Sequence, residues 1–578
     1  MRVKNQEIAK IFNEMARFLQ IEQVPFKPQA YQKAAFSLQA LKEEVSETYL
    51  RGGKKALQEI PGIGKSLSEQ IEEYLKTGKI KAYSQFRKKL PLNMAELMGV
   101  EGLGPRKIKI LYQKLGISNL KELEKAAITH KIAPLFGFGA KTEENILQGI
   151  EFLKRSKGRL PIGDIMPTVN IIFDELRRLP EVKKISLAGS LRRRKETIGD
   201  VDFLVVAKHT KKVMDYFVKL PGVEKIWGQG GTKASVHMVN GFDMDLRVVP
   251  EKSYGAALQY FTGSKEHNIL TRRIAIDKGL KLSEYGVFKG AKQVAGKTEA
   301  DVYAAIGLPF IEPEMREDQG EIDAALHGNL PHLVALEDIT GDLHCHSHWN
   351  GGKHSIEQMA QQAMDLGYSY IGISDHTKFL QIEKGLDEKK LLEQHKAIQK
   401  INDGYKKKGI AFTVLHGCES NILNDGSIDI SDEVLAQLDY VIAGVHSSLK
   451  MPKDQMMARI TKAMQNPNVD IISHPTGRLV GKRDEYEHDF DNMLQVAKET
   501  GTILEINASP YRLDLRDLYI RRAKAEGVKM VIDTDAHQKE QMLLMEYGVW
   551  QARRGWAEKE DIINAQSLDK LMQYFKKT

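Results

Sequence analysis

The chain has 578 residues, 28% charged and 42% hydrophobic, with a formal net charge of +8 and two cysteines, Cys345 and Cys418. Such a length argues for roughly three or four domains, the mild positive balance fits a polyanionic partner, and two Cys exclude a disulfide framework and point to a reducing compartment. No apolar run approaches the roughly 18 residues of a membrane span, and the start carries no secretory signal pattern, so a cytoplasmic protein is expected.

In chain order, Ile8, Ile11, Phe12, Met15, Phe18 and Leu19 recur at helical spacing and predict an amphipathic first helix. Pro25 and Pro28 separate it from a second, which carries Tyr31, Ala34, Ala35 and Leu38. Both stripes read as core. A motif then recurs three times. Ile60-Pro61-Gly62-Ile63-Gly64-Lys65 precedes a helix over Ser66–Leu75. Met98 to Lys107, with Gly102, Gly104, Arg106 and Lys107, precedes Ile108–Leu115. Phe136-Gly137-Phe138-Gly139-Ala140-Lys141 precedes Thr142–Leu153. The glycines let backbone approach a ligand closely, and the helix start aims N–H groups at an anion. This is the helix-hairpin-helix pattern, which grips backbone phosphates without reading bases. One Gly-x-Gly is an ordinary αα-turn; three in succession with basic residues point to DNA.

Ser156 to Pro167, with Gly158, Pro161 and Gly163, reads as a linker. A helix over Val169–Leu179 and a strand over Lys184–Ala188 follow. They lead into Gly189-Ser190-Leu191-Arg192-Arg193-Arg194, and then Gly199-Asp200-Val201-Asp202. Strand alternation puts Asp200 and Asp202 on one face. Paired carboxylates repel unless a cation lies between them, and Mg²⁺ or Mn²⁺ suits oxygen ligands beside phosphates. Gly189-Ser190 can offer backbone N–H groups to a phosphate. The strand Phe242–Val249 supplies a third carboxylate, Asp245. A lone Asp-x-Asp reads equally well as two solvated side chains; with the Gly-Ser turn and the second strand it reads as a metal-dependent nucleotidyl-transfer site in a mixed α/β palm. Tyr260-Phe261-Thr262-Gly263 then sets two aromatics beside a turn, a pocket wall for base and sugar.

On the ordered series Gly189-Ser190…Arg193, Gly199-Asp200-Val201-Asp202, Asp245-Leu246-Arg247 and Tyr260-Phe261-Thr262-Gly263, residues 1–316 resemble the family X DNA polymerases, the group that contains DNA polymerase beta. The resemblance implies that Asp200, Asp202 and Asp245 hold two Mg²⁺ or Mn²⁺ ions, with Asp245 assisting deprotonation of the primer 3′-OH. It implies that Gly189, Ser190 and Arg193 hold the triphosphate, that Tyr260, Phe261 and Gly263 flank the sugar, and that Asn268 meets the base's minor-groove edge. Lys265 stands where DNA polymerase beta has an acidic residue. In the N-terminal part the resemblance implies 5′-phosphate contacts at Lys27, Tyr31 and Lys65. The position of the family's Schiff-base lysine is Gln70 here. A Schiff base needs an amine, so lyase chemistry by that residue is not expected.

Pro309 to Leu336 reads as a proline-punctuated, acidic connector. Beyond it, polar residues follow apolar strand-like runs again and again: His344 and His346, Asp375-His376, His416 and Glu419, His446, His474, Asn507, Asp535 and His537. Helical stretches such as Ser355–Leu366 and Asp491–Glu499 lie between. Such alternation makes a barrel with its site on one rim, and imidazoles with carboxylates suit Zn²⁺ or Mn²⁺. Residues 339–578 resemble the PHP (polymerase and histidinol phosphatase) domain. That resemblance implies a distorted β/α barrel holding two to three Mn²⁺ or Zn²⁺ ions on His344, His346, His376, Glu419, His446, His474, Asp535 and His537. Where the family carries a further ligand Asp, this chain has Gly351, so the metal shared by His376 and His537 is expected to be weakened or lost unless His348, Asn350 or His354 substitutes.

The expected fold is therefore multidomain α/β. A helix-hairpin-helix region covers 1–80, with a second at 81–155. A nucleotidyltransferase palm spans 165–255 and a thumb 256–316. A linker at 317–338 leads to the barrel at 339–578. The expected protein is a monomeric, nucleoid-associated polymerase. Its partners are gapped or nicked double-stranded DNA and deoxynucleoside triphosphates. It fills short gaps in base excision repair, with a 3′–5′ exonuclease and abasic-site endonuclease in the barrel. The alternatives are a small-molecule phosphoesterase barrel, or a gap-filling or gap-binding protein whose barrel has degenerated at Gly351.

Overall fold

The computed structural model describes residues 5–576 apart from 23, 25, 26, 40, 42, 43, 61, 90–96, 98, 99, 101, 102, 156–158, 380–384 and 482. Gly102 therefore lies outside the described residues, as does the side chain of Lys141. The chain divides into two compact units. One comprises Met1–Arg159, His237–Gly241 and Lys265–Ala295; the other comprises Leu160–Val236, Phe242–Ser264 and Gly296–Thr578.

The first unit is mainly helical. Helix Asn5–Ile21 buries Ile8, Phe12, Met15 and Leu19 against Tyr31, Ala34 and Leu38 of helix Lys27–Gln39. The Gly-x-Gly turns fall where helices begin. Gly64 caps Lys65–Thr77, Gly104 caps Pro105–Leu115, and Gly139 precedes Ala140–Arg155. Gly137 and Gly139 take φ values of 84° and 122°, a region that residues with a Cβ rarely enter. Past the palm, helix Lys265–Asp277 leads to an antiparallel sheet of Lys281–Ser283, Gly286–Lys289 and Lys292–Ala295.

The second unit holds the palm and the barrel. Five strands make the palm sheet, in the spatial order Val182–Leu187, Asp200–Ala207, Asp243–Val248, Lys233–Met238, Val223–Gln229. Asp200–Ala207 runs parallel to Asp243–Val248, with Asp202 opposite Asp245. Helix Ile162–Arg178 packs Ile165, Met166, Val169, Ile172 and Leu176 into the core. It starts inside the segment expected to be a linker. Pro161 stands as its cap residue and Pro167 lies within it. Proline costs little near a helix start, and burial of the apolar face outweighs the lost hydrogen bond.

The barrel is built from parallel strands in two sheets. Gly341–Cys345, Tyr370–Ile373 and Thr413–His416 form one; Glu419–Asn421, Ile442–Gly444, Ile471–Ile472, Ile503–Asn507 and Met530–Asp533 form the other. Bridges between Cys345 and Ala536, and between His376 and Glu419, join the sheets at both seams. The expected connector at 317–338 is not a loose tether. It contains helix Glu321–Leu326 and begins beside Arg316, which is wholly buried and pairs with Glu299 at 2.6 Å. Two of its acidic residues are ion-pair partners, Glu317 of Arg193 at 2.9 Å and Asp338 of Lys559 at 3.1 Å.

Candidate active sites

The palm site grows out of one close approach. Gly189 has φ of 62°, and a Cβ there would lie 2.4 Å from Asp202 Oδ2. Only glycine permits the turn to sit against the carboxylate. Burial, then the charges of Asp200 and Asp245, push Asp202 up to about 7. Asp245 is held by Lys233 Nζ at 2.7 Å and by the Ser235 hydroxyl at 2.5 Å. Among the described residues Ser190 Oγ is buried with no hydrogen-bond partner, a donor left for a phosphate. Asp243 has a structural task, accepting from Trp227 Nε1 at 2.9 Å.

Tyr260 and Phe261 lie in helix Tyr254–Thr262, which ends at Gly263, and their ring centroids are 5.0 Å apart. The Arg247 guanidinium lies 4.5 Å from the Phe261 ring centre. Arg193 donates from Nε to Glu317 at 2.9 Å and from Nη1 to the Thr262 carbonyl. It is thus bound into the palm, with the Arg194 guanidinium stacked on Trp550 at 3.7 Å. Asn268 is buried in helix Lys265–Asp277 of the other unit.

In the helical unit, Lys65 and Arg106 are exposed, while Lys107 lies 5.9 Å from the Phe138 ring centre. Lys27, Tyr31, Ser66 and Gln70 line a cavity of about 500 Å³. The Tyr31 hydroxyl is engaged by Gln70 Nε2 at 2.7 Å, and among the described residues Lys27 is the only lysine on the lining.

The barrel histidines converge on one carboxylate. Glu419 Oε1 lies 3.0 Å from His446 Nε2 and 3.1 Å from His474 Nε2. Glu419 Oε2 lies 2.7 Å from His376 Nδ1 and 3.2 Å from His344 Nε2. Asp535 Oδ1 reaches His346 Nε2 at 3.3 Å and His344 Nε2 at 3.6 Å. Burial pushes Glu419 up, but His376, His344 and His446 outweigh it and hold the carboxylate well below its ordinary range. Burial, and then the Arg512 charge, bring His474 down to about 4.

Three sets of ligand atoms close to within 4.8 Å: His344, His346, Glu419 and Asp535; His376, Glu419 and His446; and His346, His376 and His537. Among the described residues these are the groups that meet so tightly. Among the described residues, His344 Nε2, both His346 nitrogens, His376 Nδ1, Glu419 Oε2 and His474 Nδ1 are buried and, close as some of them lie, make no well-directed hydrogen bond. Buried polar atoms left unpaired are costly. Divalent metal ions fit this donor set and would satisfy it.

Gly351 contributes no side chain, but the third group is completed by His346. The neighbours expected as substitutes do other work. His354 Nδ1 accepts from the Lys539 amide, the Asn350 side-chain oxygen accepts from the His376 amide, and His348 is exposed. Outside the sequence-predicted set, Glu505 Oε1 lies 2.6 Å from His344 Nδ1, and Asn421 Oδ1 meets His446 Nδ1 at 2.8 Å. Such partners fix a ligand's tautomer and direction. The only sequence signal for Glu505 is its alternation with Asn507 along one strand.

Four family models match the chain. They are a helix-hairpin-helix domain over residues 3–80, a SAM-like helix-hairpin-helix tandem over 94–151, the DNA polymerase beta thumb over 257–317, and the PHP domain over 342–509. The DNA polymerase/3′-5′ exonuclease PolX of Bacillus subtilis (strain 168) is 37% identical over 577 residues, 99% of each chain. The chain belongs to the PolX family. Shorter likenesses reach proteins described as probable phosphatases. One, of Clostridium acetobutylicum, is 30% identical over 34% of this chain and 78% of its own. Another, of Caldanaerobacter subterraneus, is 31% identical over 34% of this chain and 75% of its own. PolX membership accounts for carboxylate palm and histidine barrel in one chain.

Proposed function

We propose that this PolX chain fills short gaps in duplex DNA by template-directed synthesis and trims 3′ ends in its barrel. The observation that carries the reading is the pairing of Asp202 with Asp245 across parallel strands, with Gly189 pressed on Asp202, in a chain that also holds the Glu419 cage. Base excision repair, action at abasic sites and a nucleoid location in the cytoplasm belong to the same proposal. So do the domain limits of 1–80, 81–155, 165–255, 256–316 and 339–578.

Asp200, Asp202 and Asp245 are the residues to hold two Mg²⁺ or Mn²⁺ ions, and the barrel histidines with Glu419 and Asp535 hold Mn²⁺ or Zn²⁺. When bound, such ions supply Lewis acidity and offset charge on the phosphates. The chain's own groups do the positioning. Asp245, paired with Lys233 at 2.7 Å, would orient the primer 3′-OH; the Ser190 hydroxyl donates to the triphosphate. Tyr260 and Phe261 wall the sugar. In the barrel, Glu419 spans neighbouring ligand groups with its two oxygens and fixes their separation. The helix-hairpin-helix glycines and Lys65, Arg106, Lys107 and Lys141 hold backbone phosphates. Lys27 and Tyr31 belong to the surface for the 5′ side of a gap.

The test uses a gapped duplex with a labelled primer. With nucleotides, Asp200→Ala should abolish extension and leave trimming intact; retained extension would sink the palm assignment. With Mn²⁺ and no nucleotides, wild type should shorten the primer and His344→Ala should not. Gly351 favours a second reading, a barrel kept for structure alone. Extension without any shortening would establish it, while turnover of a small phosphomonoester instead of DNA would favour a phosphatase barrel.

A further inference from the structure

Arg512 lies in the loop that follows strand Ile503–Asn507, and both flanks of that loop are tied down. The Asp514 carboxylate accepts from the Thr476 and Gly477 amides at 3.0 and 2.9 Å, and from the Thr476 hydroxyl at 2.8 Å. Arg478 Nε donates to the Arg512 carbonyl at 3.0 Å, and the Arg512 amide donates to Ser509 at 2.8 Å. The loop is thereby fastened to the one that carries His474. Its backbone holds Arg512 in place without help from the side chain.

The side chain itself makes one long ion pair. Its Nε lies 3.9 Å from Asp535 Oδ2, and the side chain is 22% exposed. That distance is an ion pair and too long for a hydrogen bond. Among the described residues the guanidinium donates no hydrogen bond. A largely buried fork of N–H donors thus stands beside the cage, next to a carboxylate whose other oxygen faces His344 and His346. A guanidinium matches a phosphodiester's two non-bridging oxygens in a way an ammonium does not.

We propose that Arg512 is a catalytic residue of the barrel, clamping the non-bridging oxygens of the terminal phosphodiester. This rests on the reading of the barrel as a 3′–5′ exonuclease. In that hydrolysis, a water oxygen bonds to phosphorus and the bond to the penultimate 3′ oxygen breaks. That oxygen takes a proton, and a nucleoside 5′-monophosphate leaves. Arg512 neither gains nor loses a proton; it balances the charge that builds on the equatorial oxygens.

The test uses the full chain with Arg512→Ala and Arg512→Lys. Single-turnover trimming of a labelled 3′ end in Mn²⁺ is measured beside bound metal per chain and primer extension. The alanine variant should trim about 100-fold more slowly, with metal content and extension unchanged. The lysine variant should recover part of the rate, and added guanidinium should partly rescue alanine alone. Wild-type trimming by Arg512→Ala would overturn the assignment while leaving the exonuclease reading intact. Slow trimming with matching metal loss would also overturn it, because Arg512 would then act by holding Asp535. A wild-type chain that trims no better than His344→Ala would remove the exonuclease reading and this proposal together.

Discussion

Asp202 carries a charge problem that its neighbours make worse. Burial, then Asp200 and Asp245, lift its pKa from 3.8 to about 7. The folded chain therefore binds more protons than the unfolded one between those values. Stability contributed by this group declines as pH rises through that window, and the full cost is present above it. A divalent cation on the palm offsets the repulsion, so its benefit should grow over the same range. Melting curves with and without Mg²⁺ should show a small upward shift near about pH 5 and a larger one near about pH 8. Asp202→Asn should remove that difference; a shift independent of pH in wild type would refute the account. The carboxylates were legible in the sequence because strand alternation fixes their face. Lys233 on Asp245 was not, since that contact comes from the neighbouring strand.

Among the elements, helix Ile162–Arg178 shows where local punctuation misleads. Gly163 and Pro167 carry the signature of a linker, yet the helix runs through both. Gly163 is there for packing: a Cβ would lie 2.7 Å from Pro510 of the barrel. Gly163→Val should force the two surfaces apart at a cost of about 1–3 kcal/mol, the usual price of overpacking. The expected readout is a lower denaturation midpoint with retained helical content. An unchanged midpoint would mean that the helix and the Pro510 loop separate freely. The barrel strands, by contrast, were readable: apolar runs ended by His, Asp or Glu mark a rim on sequence alone. Glu505 and Arg512 escaped that reading. One sits inside its strand and the other in a loop, and only the fold brings them to the cage.

At the scale of the molecule, palm and barrel form one compact unit, and charged residues join them. Glu317 accepts from Arg193 at 2.9 Å and from Arg554 at 3.2 Å, and Arg554 also pairs with Asp517. Arg478, four residues past His474, meets Glu196 of the palm turn at 2.6 Å. No sequence pattern announces such pairs, because their members lie far apart along the chain and each alone resembles a solvated charge. The resemblance assigns Arg193 of the basic run Arg192-Arg193-Arg194-Lys195 to the triphosphate, and the fold sets Arg193 on Glu317 and Arg194 on Trp550. Glu317 is thus the counter-charge for two arginines, with its side chain 13% exposed and that of Arg554 only 2%. Removing one partner from a buried pair leaves the other's desolvation uncompensated, a loss of about 3–5 kcal/mol. Glu317→Ala should therefore lower the unfolding midpoint of palm and barrel together. Glu317→Gln, which keeps the shape and one acceptor, should lose less. Because Arg193 borders the Gly189–Ser190 turn, the alanine variant should also weaken nucleotide binding, seen as a raised KM for extension. A stable variant with unchanged KM would show that the ion pairs decorate the junction without holding it.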